Sequence, residues 1–159
     1  MIYKLALLLM YSKVQEYSML RGDMMKNVGS CLCGDIRFSV QKFEPMIGHC
    51  HCNMCQKFHG AAFSTFGEVK LSNLSWIAGE DCLVSYQAEN GSVRKFCQHC
   101  GSSLLFESRF NRETDTVEIA LAAFDTLETV QPDAHIYTES QVSWHHINDQ
   151  LLQFKHYRE

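Results

Sequence analysis

Residues 48–60 read Gly-His-Cys-His-Cys-Asn-Met-Cys-Gln-Lys-Phe-His-Gly, which places three cysteines and three histidines in thirteen positions. The segment lacks a helical or strand period, so it reads as a loop passing into a short helix near Gln56 to Phe58. Two thiols so close in sequence make poor disulfide partners, whereas thiolates one turn apart present both sulfurs to one ion. Outward from this segment stand Cys31-x-Cys33 and Cys97-x-x-Cys100, so seven of the eight cysteines fall in three clusters. Cys82 alone stands apart, as a small buried hydrophobe. A disulfide framework needs an oxidising compartment, and these thiols fit a reducing cytoplasm better. Metal is the expected use, with zinc ahead of cuprous copper, and the closely spaced four-cysteine run of a ferredoxin is missing.

Between the clusters the pattern is that of strands. Ile36, Phe38 and Val40 alternate with Arg37 and Ser39 at period two, and Ala61 to Val69 looks like a buried strand. Leu83 to Tyr86 and Val93 to Phe96 flank Asn90-Gly91, which predicts a hairpin whose tight turn takes positive φ at both residues. Leu104 to Phe106, Val117 to Leu121 and His135 to Thr138 are further short strands. The fold class is mainly β: antiparallel sheets stapled by zinc and packed as a sandwich-like single domain. Trp76 and Trp144 are expected at the core or its rim, His135 as a satisfied core histidine, and His145-His146 in a solvated turn.

The chain has 159 residues with 14 basic and 18 acidic side chains, a net charge of −4. That size fits one domain, and the balance argues against nucleic acid as a partner. The apolar run Leu5 to Tyr11 is far short of the ~20 residues a membrane span needs. Residues 1–24 read as an untypical N-terminal extension, ahead of an amphipathic segment or a signal peptide, and 25–159 as the zinc-binding domain. Translation from Met24 or Met25 would lose no chemistry.

A closed structural zinc takes four ligands, and a catalytic zinc keeps three and an open position. Cys50, Cys52 and Cys55 form the one cluster that can supply three ligands alone. Cys31, Cys33, Cys97 and Cys100 then close on a second ion. Spacing leaves open a ribbon joining Cys52/Cys55 to Cys97/Cys100.

Gly29-Ser30-Cys31-Leu32-Cys33-Gly34, His49-Cys50-His51-Cys52-Asn53-Met54-Cys55-Gln56-Lys57 and Phe96-Cys97-Gln98-His99-Cys100-Gly101-Ser102 resemble the three signatures of the glutathione-dependent formaldehyde-activating enzyme family, which includes centromere protein V. Gly60-Ala61-Ala62-Phe63, Trp76-x-x-Gly79, Pro132-x-x-His135-Ile136-Tyr137, Trp144, Asp149 and Phe154 match more weakly. The resemblance implies a structural zinc on Cys31, Cys33, Cys97 and Cys100 and a labile one on Cys50, Cys52 and Cys55. It implies a carbon-sulfur lyase that forms or cleaves S-hydroxymethylglutathione, with glutathione and formaldehyde as partners. A non-catalytic zinc-dependent binding module is the alternative.

In such an enzyme a thiolate attacks a carbonyl carbon and the alkoxide needs a proton. His51 is the nearest proton donor in sequence, with His49 and His59 behind it; packing or tuning the thiolates is the alternative for all three. Lys57 and Arg94 are candidate cations for a glutathione-sized anion, with solvated surface charge the alternative for each.

Overall fold

The computed structural model describes residues 27–127 and 130–158. The expectations for residues 1–24 lie outside the described residues. Two sheets form the fold. The smaller has the order β10-β1-β2-β5, from Phe124–Thr126, Asn27–Ser30, Arg37–Val40 and Leu74–Ala78. In the larger, β12 (Leu152–Gln153), β11 (Ala134–Ile136), β3 (Gly48–Cys50), β4 (Ser64–Lys70), β9 (Thr116–Ala120), β8 (Ser103–Glu107), β7 (Val93–Cys97) and β6 (Leu83–Gln87) lie side by side in that order.

The core lies between the sheets. Ile36, Phe38 and Val40 meet Val69, Val117, Ile119, Leu104 and Leu105, all of them buried. Each such side chain contributes about 1.5–3 kcal/mol through removal from water. The Phe38 ring meets Trp76 and Phe124 edge-on, at centroid distances of 6.0 and 5.2 Å, the geometry that aromatic quadrupoles favour. Gly29 lies beneath that ring, where a Cβ would overlap Phe38 and the Ala123 carbonyl.

The mainly β, two-sheet expectation holds, with particular departures. β3 joins β11 in a parallel ladder, and β11 joins β12 in another, so the large sheet is mixed. Gly48 to Cys50, expected as loop, is a strand because β4 and β11 take its backbone groups on both sides. Ser39, expected on the polar face, is buried. The β6–β7 hairpin is present, but its last paired residues are Gln87 and Val93. Only Gly91 has positive φ, at 78°. Asn90 instead accepts hydrogen bonds on its side chain from the backbone N–H and hydroxyl of Ser92, which stabilises a longer loop in place of the tight turn. The helix over the cysteines runs Asn53–His59, longer than expected, and Arg109–Glu113 is a second helix, opened by a Ser108–Asn111 capping box. Trp144 is 70% exposed and belongs to no core. Cys82 is half-buried at the core margin.

Strand alternation places the remaining chemistry. On the face of the large sheet turned away from the core, Glu68, Glu118, Phe106, Arg94 and Tyr86 are cross-strand neighbours in one row. Phe66 pairs with Ala120 and Gly48 in the next row, and Cys50 with Ser64 and Ile136 beyond that.

Candidate metal centres

Cys31 and Cys33 lie in the turn that joins β1 to β2, and Cys97 ends β7. A glycine follows each pair, and both Gly34 and Gly101 have positive φ, at 82° and 73°. That conformation lets their N–H groups bond back to the carbonyls of Cys31 and Cys97 at 2.9 Å, so each pair of sulfurs projects from one tight turn. The Ile36 N–H also donates to Cys31 Sγ at 3.3 Å. The four sulfurs lie within 4.8 Å of one another. Cys31 Sγ is 3.4 Å from Cys33 Sγ, which is 3.8 Å from Cys97 Sγ. A tetrahedral zinc bonded to sulfur at about 2.3 Å separates its ligands by about 3.8 Å, so the donor set fits a closed thiolate site.

Cys50, Cys52 and Cys55 bring three sulfurs within 4.8 Å of one another. Cys50 comes from β3. Cys52 caps the helix Asn53–His59, and its sulfur accepts from the Cys55 N–H at 3.4 Å. Hydrogen bonds from the Cys50 and Cys55 thiols, helped by backbone donors at the helix start, lower the Cys52 thiol to about 2, as expected for sulfur at a helix N-terminus. The same sharing pushes the Cys50 thiol well up. Three thiols disputing their protons in a half-buried site form a donor set suited to a soft cation. The described residues offer no further cysteine, histidine or carboxylate to complete this group, so it has three protein ligands where the first has four. Cys52/Cys55 and Cys97/Cys100 do not come together, so the ribbon grouping is corrected.

His51 is not at the three-cysteine centre. Residues 49 and 51 alternate with Cys50, so both histidines lie on the opposite face of the strand. His51 is fully buried, with Nε2 2.8 Å from His135 Nδ1. Asp149 accepts from His135 Nε2 at 3.0 Å, and the His135–Asp149 contact holds the carboxyl below its usual range. In the neutral tautomer that donates from Nε2 to the carboxylate, His135 Nδ1 accepts from His51 Nε2. Burial, then His135, His145 and His49, lowers His51 to about 4. The expectation of His51 as a proton donor is corrected: its ring belongs to a histidine layer that includes His49 and His145 around Phe63. His135 is the satisfied core histidine expected.

His59, at the end of the helix, is on the ligand side. Its ring meets Phe66 at 5.2 Å, and burial, then the charge of Arg94, lowers it to about 4. It is neutral at pH 7. His59, Ala120, Ser103, Cys31 and Cys100 line a groove of about 580 Å³ beside the four-cysteine group, a size suited to a small molecule. Lys57 is exposed on the helix. Arg94 is buried, its guanidinium stacked over Phe106 at 4.9 Å and bonded to the Ser92 hydroxyl at 3.0 Å. Arg94 is therefore no solvated surface charge; the stacking keeps an enclosed cation favourable.

Sequence reasoning missed the acidic row and the tyrosines. Glu68, Glu118, Tyr157 and Arg158 line a small cavity of about 40 Å³ against Cys50. Glu68 accepts from the Thr116 hydroxyl at 2.5 Å. Burial, then Glu68, with Arg94 opposing, pushes Glu118 up from 4.5 to about 7. A carboxyl raised in the folded state gives stability that is complete below the unfolded value and is lost as pH rises through about 7. Glu118→Gln should therefore stabilise the protein by ~1–2 kcal/mol at pH 8 and by almost nothing at pH 4.5. Denaturant midpoints of both proteins at the two pH values measure this; an equal difference at both would contradict it. The signal available in sequence was period two: residues 66, 68, 118 and 120 share a face with Cys50 once the strands are aligned.

The domain is a β-sheet fold that presents one four-cysteine and one three-cysteine group, each of which could hold a metal ion. The comparisons make this specific. The family model described as glutathione-dependent formaldehyde-activating enzyme matches residues 26–140, and the chain belongs to that family. A putative glutathione-dependent formaldehyde-activating enzyme of Halomonas elongata is 27% identical over 124 residues, 73% of this chain and 77% of the relative. A protein named as an uncharacterized lyase of Schizosaccharomyces pombe is 28% identical over 78 residues, 49% of this chain and 55% of the relative's length. A crystal structure of a Rhodobacter sphaeroides protein superposes with a TM-score of 0.52 at 25% identity, covering 66% of this chain and 91% of that one.

Proposed function

We propose that the chain is a zinc-dependent carbon-sulfur lyase that joins a thiol to an aldehyde, or cleaves the adduct, with glutathione and formaldehyde as the leading pair. The family match and its lyase-named relatives support a lyase-type role. The observation that carries the reading is the unequal donor count of the two cysteine groups. Cys31, Cys33, Cys97 and Cys100 would hold a structural zinc, and Cys50, Cys52 and Cys55 a labile one. Bound there, a zinc with three thiolate ligands supplies an open soft position that holds a substrate thiol as thiolate.

The remaining work belongs to the chain. Phe66, Phe106, Ile136 and Tyr137 pack around Cys50 and Cys55, which excludes water and strengthens electrostatic interactions at the centre. Lys57 is the accessible cation for a substrate carboxylate, while Arg94 backs the aromatic wall at Phe58 and Phe106. Held within ~3.5 Å of the sulfur, a carbonyl carbon is attacked as an effectively unimolecular step.

The reading places the catalytic unit at residues 25–159 and the protein in a reducing cytoplasm. Among the described residues no helix is long and apolar enough to cross a membrane. A panel of thiols and aldehydes, followed by adduct exchange with the uncatalysed rate subtracted, tests the activity. Acceleration with glutathione and formaldehyde is expected. Two bound zincs with no acceleration by any pair would instead favour a binding module.

A further inference from the structure

The sequence ends β11 at Ile136 and then places an aromatic residue where the chain must turn. Tyr137 has φ 57° and ψ 38°, a left-handed conformation that is an outlier for a bulky side chain and costs of order 1–3 kcal/mol. The surroundings impose it. Tyr137 N–H donates to the His156 carbonyl and Thr138 N–H to the Phe154 carbonyl, each at 3.0 Å, while Ser140 N–H returns to the Tyr137 carbonyl at 3.1 Å. One C-terminal segment, residues 154–156, therefore clamps Tyr137 and Thr138 from one side, and the turn to Ser140 clamps Tyr137 from the other.

The strain determines where the ring goes. A continued strand would carry residue 137 to the face of His135, opposite Cys50. The left-handed turn instead returns the ring to the ligand face, where it packs against the cluster of Cys50, Cys55, Phe66 and Ala120 that Cys52 also borders. The Tyr137 hydroxyl has no hydrogen-bond partner among the described residues, although the ring is half-buried. A phenol keeps its proton at neutral pH and is a hydrogen-bond donor there. With His51 turned to the other face, it is an unengaged donor beside the three sulfurs.

We propose that Tyr137 is a catalytic residue: its hydroxyl donates a hydrogen bond to the aldehyde oxygen at the three-cysteine centre. The inference rests on the thiol-aldehyde reading above and adds to it the group that receives the developing charge. As the carbon-sulfur bond forms, the carbonyl π pair moves onto oxygen, and the Tyr137 O–H bond strengthens its hydrogen bond there without breaking. The thiol's proton leaves to water, and a proton from water completes the hydroxyl of the adduct. Nothing else is consumed. In the reverse direction the same donor steadies the oxygen while the carbon-sulfur bond breaks.

Tyr137→Phe keeps the ring, the packing and the strained turn, and removes only the donor. Loss of one such donor costs about 10²- to 10³-fold in kcat. The test measures kcat, KM, bound zinc and thermal midpoint for the metal-loaded full chain and its variant, with glutathione and formaldehyde. The expected result is a kcat lower by about that factor, with KM within about threefold, zinc content equal and midpoint unchanged. An unchanged kcat overturns the proposal, and so does a fall in kcat that tracks loss of zinc, because the role is then structural. A wild-type protein inactive with the whole panel overturns the thiol-aldehyde reading and this proposal with it, and is distinguished by its appearing before any variant is made.

Discussion

Cys97→Ser should leave the domain unfolded at 25 °C, or reduce its stability to a few tenths of its original value. Cys97 is fully buried, belongs to the main core, and its sulfur lies 3.8 Å from that of Cys33, 64 residues earlier in the sequence. Structural zinc sites contribute about 10–16 kcal/mol of binding free energy that is also folding free energy, and a domain of this size has only ~5–15 kcal/mol of net stability. A serine hydroxyl at neutral pH is not a thiolate, so the site would keep three ligands and bind far less tightly. The β1–β2 turn would then lose its tie to β7. Far-ultraviolet dichroism and a denaturant titration measure the outcome, and a cooperative transition at the wild-type midpoint would contradict it.

Cys52→Ser should do the opposite. Cys52 is the N-cap of the helix Asn53–His59 and is only half-buried. Serine is among the best N-cap residues, so the helix start keeps an acceptor for the Cys55 N–H. The expected cost is below about 1–2 kcal/mol of stability, a shift of a few degrees in thermal midpoint. The three-cysteine centre would retain two ligands and release its ion, and adduct exchange would fall to the uncatalysed rate. Zinc content should drop from two equivalents to one. Equal unfolding by the two serine variants would show that the centres do not divide the work as proposed.

The fold was legible where residues carry a local reason for their conformation. Ile36, Phe38 and Val40 announce a strand by alternation, and Asn90-Gly91 announces a turn, though the side-chain bonds of Asn90 select a longer loop. The cysteine groups were legible because the knuckles fix their own geometry with Gly34 and Gly101. Long-range pairing was not. The parallel ladder between β3 and β11 joins residues 86 positions apart, as Cys50↔Ile136 and Ala134↔Gly48 show, and no local pattern encodes such a partner. His51 was misplaced for a related reason: nearness in sequence to Cys50 and Cys52 was taken as nearness in space, whereas an extended backbone sends adjacent side chains to opposite faces. Arg94 was legible as a candidate cation, with solvated surface charge the alternative, and only the cross-strand placement of Phe106 reveals its aromatic seat. Tyr137 escaped because its position depends on a left-handed turn held by the C-terminal segment.

The central claim is one closed thiolate centre that joins the two sheets and one open thiolate centre on the large sheet. Cobalt substitution with absorption spectroscopy, titrated with glutathione, tests it most directly. The account predicts two equivalents of metal per chain, and a change in the thiolate charge-transfer and d–d bands of one equivalent as glutathione enters its coordination sphere, while the other stays constant. In Cys52→Ser the responsive equivalent should be missing. Two equivalents that both ignore glutathione, or a chain that binds a single metal, would contradict it.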